Sequence, residues 1–209
     1  MSRPCVGALF LAGVLAGQIA LPPVAAQSPP GVRQGPAFVP YVGLHLPANP
    51  LLQDDDIAGG WQGQAGLLMG GRLEFPAGPR LLLQGDAGYA TSRVAGFGPG
   101  YEDFEVDGHF LALTARVAYR LTGRRSPVAL SVHGGGGLLR HWVSSPNPTY
   151  STWPVAVAGA SGRFRLAPQI ELAVGAETQF YTAKFGGPEP RSTGQRDYRL
   201  TLGLWLPMQ

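Results

Sequence analysis

The stretch WQGQAGLLMGGRLEF, residues 61–75, decides how this chain is built. Trp61, Gly63, Ala65, Leu67, Met69, Gly71, Leu73 and Phe75 fall on one face of an extended backbone. Gln62, Gln64, Gly66, Leu68, Gly70, Arg72 and Glu74 fall on the other. A period of two marks a strand with one apolar and one polar face. Seven other segments repeat the alternation, so that strands are predicted over residues 38–46, 61–75, 80–92, 109–121, 128–141, 153–166, 169–184 and 197–208. In the sixth, Trp153, Val155 and Val157 share one parity while Phe164 and Leu166 share the other. A bulge near Gly159 to Gly162 is expected there, because one extra residue flips every later side chain.

The connections fix the topology. Pro76 to Pro79, Thr122 to Pro127 and Ala167-Pro168 are short. Pro47 to Gly60, Arg93 to Gly108, Ser144 to Thr152 and Phe185 to Arg196 are long and rich in Gly and Pro. Strict alternation of short and long is the arrangement of an eight-stranded antiparallel up-and-down transmembrane β-barrel, with short periplasmic turns, long extracellular loops and both termini in the periplasm. Strands of this length suit a tilted membrane span. Aromatic residues collect at both ends, as interfacial girdles do: Trp61, Tyr89, Trp142, Trp153 and Phe180 on the loop side, Phe38, Phe75, Tyr119 and Phe164 on the turn side. The same alternation with the apolar face inward would give a periplasmic lipocalin-like ligand-binding barrel. Strand length, paired girdles and low charge favour the membrane form.

The beginning of the chain assigns the compartment. Arg3, an apolar stretch from Val6 to Leu21, and Val24-Ala25-Ala26 before Gln27 have the layout of a secretory signal peptide over residues 1–26. Residues 27–37 form a periplasmic lead and residues 38–209 the barrel. Cys5, the sole cysteine, would leave with the signal, so no disulfide is expected. Charged residues make up 14% of the chain, well below the roughly 25% of typical soluble proteins. Lys184 is the only lysine among 16 basic residues; arginine suits enclosed, hydrogen-bonded ion pairs. The net charge of +3, or +2 without Arg3, is too weak and scattered for nucleic-acid binding.

A barrel of eight strands has an interior that side chains can fill. Arg72, Glu74, Asp86, Arg116, Arg120, Arg165, Glu171, Glu177 and Arg199 are expected to point into it. Burying charge is costly unless it is paired, and counting from the turns sets Asp86 level with Arg116, Glu177 with Arg199, and Arg165 with Glu171. A structural ionic core is favoured over an ion path. Asp54, Asp55 and Asp56 in the first loop, and Glu102, Asp103, Glu105 and Asp107 in the second, make the extracellular end acidic. Such carboxylates could take up a divalent cation that bridges to lipopolysaccharide, but neither run has EF-hand spacing, and solvated loops are the simpler account.

These features resemble the small eight-stranded outer-membrane barrels of the OmpA, OmpX and opacity-protein kind, over about Phe38 to Gln209. Thr201, Gly203, Leu206 and Met208 are similar to the assembly signal that ends such barrels, with Gln209 where the family usually has an aromatic. The resemblance implies a monomer with no cofactor, no following peptidoglycan-binding domain, outer-membrane lipid and lipopolysaccharide as surroundings, and loops as the working surface. Some related barrels are lipid A deacylases. Ser131 and His133 are the right types for a nucleophile and base, but the deacylase motif places His before Ser and continues with Asn, and this chain does neither. His45, His109, His133 and His141 lack metal-ligand spacing. A non-enzymatic barrel is therefore expected.

Overall fold

The computed structural model describes residues 35–54, 59–98, 105–122, 126, 128–144, 150–167, 170–185 and 191–208. They form ten strands: β1 Ala37–Pro47, β2 Leu52–Asp54, β3 Gly59–Gly63, β4 Gly66–Pro76, β5 Leu81–Phe97, β6 Glu105–Arg120, β7 Val128–Val143, β8 Tyr150–Ala167, β9 Ile170–Phe185 and β10 Arg191–Pro207. Eight of them close an antiparallel barrel in the order β5-β4-β1-β10-β9-β8-β7-β6, with β6 returning to β5. Closure matters because it leaves no ladder edge within the wall. Ala37 pairs with both Pro207 and Glu74, which puts the two ends of the barrel chain at the short-turn end.

The faces follow the sequence pattern over most of the wall. Leu67 is 55% exposed, Leu113 53% and Leu202 50%, and Leu83 and Val132 are exposed with them. Leu172 is half-buried. Asp86, Arg116 and Arg199 on the opposite faces are buried. This inversion has no place in a water-soluble barrel, since each exposed leucine forgoes roughly 1.5–3 kcal/mol of burial. It suits a wall that meets hydrocarbon.

Four expectations are corrected. The stretch 61–75 is not one strand: β3 and β4 are separated at Gln64-Ala65. Gly63 pairs with Val94, whereas Leu67 pairs with Thr91, so β4 gains one residue relative to β5 across the break. Gln64, expected inside, is exposed. The strands also run further into the predicted loops, with β6 starting at Glu105 and β10 at Arg191, because neighbouring strands keep satisfying each other's backbone groups beyond the apolar belt. Finally, β8 does not switch parity near Gly159. Trp153, Val155, Val157 and Arg163 all face inward, and the register shift lies at Arg165/Ala167, next to the turn. The apolar residues of upper β8 pack an interior layer, so their parity was no guide to the lipid side, and Trp153 belongs to the core rather than to a girdle.

Candidate functional site

The interior is built in layers. At mid-height Asp86 and Glu177 face three arginines. Arg116 reaches both carboxylates, with Nη2 2.8 Å from Asp86 Oδ1 and Nη1 2.6 Å from Glu177 Oε2. Its Nε donates to Thr114 Oγ1 at 3.0 Å. Arg199 Nη1 lies 3.4 Å from Asp86 and 3.2 Å from Glu177, and its Nη2 donates to the Tyr41 hydroxyl at 2.7 Å. The Tyr41 hydroxyl donates in turn to Asp86 at 3.0 Å. Arg72 Nε donates to Asp86 at 3.3 Å, and His133 Nε2 lies 3.2 Å from Glu177. The register explains the meeting: Arg199 is opposite Glu177, and Arg72 is opposite Asp86. Each carboxylate thus touches more than one cation, the condition under which buried charge is tolerated.

Glycine makes this layer possible. A Cβ at Gly88 would collide with the Arg199 guanidinium and come within 2.7 Å of the Tyr41 hydroxyl. Only a residue with no side chain lets those two groups lie against the wall.

Nearer the turns, Glu74 accepts from Gln84 Nε2 at 2.9 Å and from Trp205 Nε1 at 3.2 Å. Arg163 Nη1 lies 3.5 Å from Glu74 and 3.7 Å from Glu171, with its guanidinium 5.1 Å from the Trp205 ring centre. Arg120 is buried at the same end of β6. Arg165 departs from expectation. Its side chain is 47% exposed and 4.0 Å from Glu171, because the irregularity at the end of β8 turns it out to the rim. Arg163 takes the inward place that alternation around a supposed bulge had obscured.

Above the ionic layer lies an aromatic and histidine layer that the sequence pattern did not reveal. His45 and Phe110 have ring centres 4.7 Å apart, Phe110 and His141 4.5 Å, His141 and Trp153 5.9 Å, and Trp153 and Tyr181 5.5 Å. Tyr181 donates to Asp197 at 2.8 Å, and Asp197 lies 3.4 Å from His45 Nε2. Leu68, Leu139, Val155 and Val157 complete the layer. A signal was present in the inward parity of His45, His141 and Asp197, but they stand on three different strands, and only barrel closure brings them to one level.

Of the acidic residues, Glu105 and Asp107 are strand residues of β6, exposed on the outer face, rather than loop residues. Glu105 is paired with Arg93 at 3.0 Å. Asp54 ends β2; Asp55, Asp56, Glu102 and Asp103 lie outside the described residues, as does the signal segment. No group of three or more His, Cys, Asp or Glu residues among the described residues is placed to hold a metal ion. Ser131 shares a hydrogen bond with Ser161 at 2.9 Å while His133 engages Glu177, so the two do not form a nucleophile–base pair. On the outer wall, Tyr89, His109 and Trp142 form an aromatic group. Tyr89 and His109 ring centres are 6.0 Å apart, and His109 and Trp142 5.3 Å.

No family model matches the chain, and no curated protein matches it in sequence. Solved structures do match in shape. Neisserial surface protein A aligns over 83% of this chain and 99% of its own, with 13% identity and a TM-score of 0.55. The outer membrane protein OprG from Pseudomonas aeruginosa aligns over 84% and 96%, with 10% identity and a TM-score of 0.65. Taken with the closed barrel and its outward leucines, these likenesses show that the chain has the eight-stranded fold of the small outer-membrane β-barrels.

Proposed function

We propose that this is a non-enzymatic outer-membrane protein, exported through residues 1–26, that supports envelope integrity or surface interaction through its extracellular end. The observation that carries this reading is the inverted wall: leucines exposed outside, paired charge buried inside. Two carboxylates and three arginines cross-linking β1, β4, β5, β6, β9 and β10 make the lumen a brace rather than a bore. That leaves the outer wall and the long extracellular hairpins to meet partners, with lipopolysaccharide the first of them, the protein being a monomer. The test is detergent dependence combined with lipid analysis. The refolded protein should stay monodisperse only in detergent or bilayers, and lipid A from cells with and without the gene should have the same acyl composition. A monodisperse protein in plain buffer would sink the membrane reading, and a changed acyl pattern would sink the non-enzymatic one.

A further inference from the structure

The arginines of the middle layer outnumber its carboxylates. Arg72, Arg116 and Arg199 face Asp86 and Glu177, which leaves a formal +1 with His133 neutral. The neighbouring layers do not cancel it. Towards the turns, Arg120 and Arg163 match Glu74 and Glu171 in number. On the other side Asp197 accepts from Tyr181 and forms no ion pair with an arginine among the described residues. A charge excess shielded from water is costly unless a counter-charge stands close.

The layer has room for one. Arg72, Arg116, Arg199, His133, Glu177 and Thr201 border an internal cavity in which the centre of a water-sized particle has about 10 Å³ of space. Two of these arginines have donors to spare. Arg72, only 7% exposed, donates to Asp86 through Nε, and neither of its Nη atoms meets an acceptor among the described residues. Arg199 spends Nη1 and Nη2 on Asp86, Glu177 and Tyr41, and its Nε has no acceptor among the described residues. The Thr201 hydroxyl makes only a long bond of 3.5 Å to the Gly175 carbonyl. Glu177 borders the cavity too, but Arg116, Arg199 and His133 already hold its carboxylate. Gly175 keeps the space open, since a Cβ there would come within 2.6 Å of the Thr201 hydroxyl. The lining therefore asks for an occupant that accepts hydrogen bonds, gives none, carries one negative charge and is little larger than water. Water brings two hydrogens that need acceptors of their own, and a phosphate is too large.

We propose that this cavity is a binding site for one monovalent anion of halide size, chloride, held by Arg72, Arg199 and Thr201. The site lies in the lumen and does not depend on what the extracellular end meets.

The test is urea unfolding of the refolded full-length protein in detergent micelles, in sodium chloride or in sodium gluconate at equal ionic strength. Gluconate does not fit the cavity. At chloride ten times its Kd, the ratio of folded to unfolded protein should be about elevenfold that in gluconate, and the gain should grow with chloride as for one site. Crystals grown in bromide should show an anomalous peak in the cavity. Arg72→Met makes the layer neutral while Asp86 keeps Arg116, Arg199 and Tyr41. It should lose both the chloride dependence and the peak. Gly175→Val fills the cavity, leaves every arginine in place and stands in if Arg72→Met does not fold. Arg196→Met, at an exposed position over Phe180, should keep both signals. Equal stability of wild type in the two salts, or a cavity without bromide, overturns the site. A chloride dependence that survives in the folded Arg72→Met or Gly175→Val protein overturns it as well, and would mark an adventitious ion only.

Discussion

Glu177 shows how much depends on a single carboxylate. It meets Arg116, Arg199 and His133, in a layer whose three arginines and two carboxylates carry a formal +1 with His133 neutral (3 − 2). Glu177→Ala raises that to +2 in a region shielded from water, and breaking a buried pair from one side costs about 3–5 kcal/mol. Glu177→Leu with Arg199→Met returns the layer to +1. The double variant should therefore unfold at a higher urea concentration than Glu177→Ala alone, measured by circular dichroism in lipid vesicles. Additive losses would show that the two groups do not couple. Gly88→Ala tests the space rather than the charge. The new methyl displaces the Arg199 guanidinium from Tyr41 and should cost about 1–3 kcal/mol, as overpacking does. A variant as stable as wild type would mean that Arg199 has another place to go.

The elements divide by how closely their residues obey alternation. Strands β5 and β6 follow it from end to end of their lower halves, and their outward leucines are exposed. An arginine at Leu113, in the middle of β6, should cost about 2–4 kcal/mol, the penalty for such a charge near the bilayer midplane. Refolding into vesicles, followed by urea titration, would read the loss. Strand β8 behaves differently because its inward residues are apolar from Trp153 to Val157 and polar at Ser161 and Arg163. Cysteines at Val155 and Ala156 separate the two facings. A fluorophore on Ala156→Cys should be quenched by spin-labelled lipid, and one on Val155→Cys should not. The opposite result would restore the switch of faces that the sequence suggests near Gly159.

For the whole molecule, the stacked layers decide what passes through the barrel. Arg120, Arg163, Glu74 and Glu171 lie towards the turn end, the arginine–carboxylate layer lies in the middle, and the His45 to Tyr181 ring stack lies above it. The wild-type protein should show no stable, porin-sized conductance steps in planar bilayers. Regular large steps from pure protein would mean that the ionic layer opens or hydrates. The upper layer holds buried polar atoms with no hydrogen-bond partner among the described residues, including Asp197 Oδ1, Gln179 Nε2 and His141 Nε2. Buried polar groups of this kind are generally satisfied by water, so hydration is expected above the ionic layer.

The sequence by itself determined the class, the strand number and the ends. A period of two over ten or more residues cannot be worn by a helix, and alternating short and long connections admit one simple closed meander. It also determined which charges would be inside wherever apolar and polar residues strictly alternate, as at Arg72, Asp86, Arg116 and Arg199. Only the tertiary structure decided how those charges are shared. Arg116 spans Asp86 and Glu177, the second of them 61 residues away from it in sequence, a link set by barrel closure and side-chain reach that no local pattern records. The break at Gln64-Ala65, the inward face of upper β8 and the exposure of Arg165 were likewise settled in three dimensions. In each, pairing with a neighbouring strand or packing against the opposite wall outweighs the strand's own alternation.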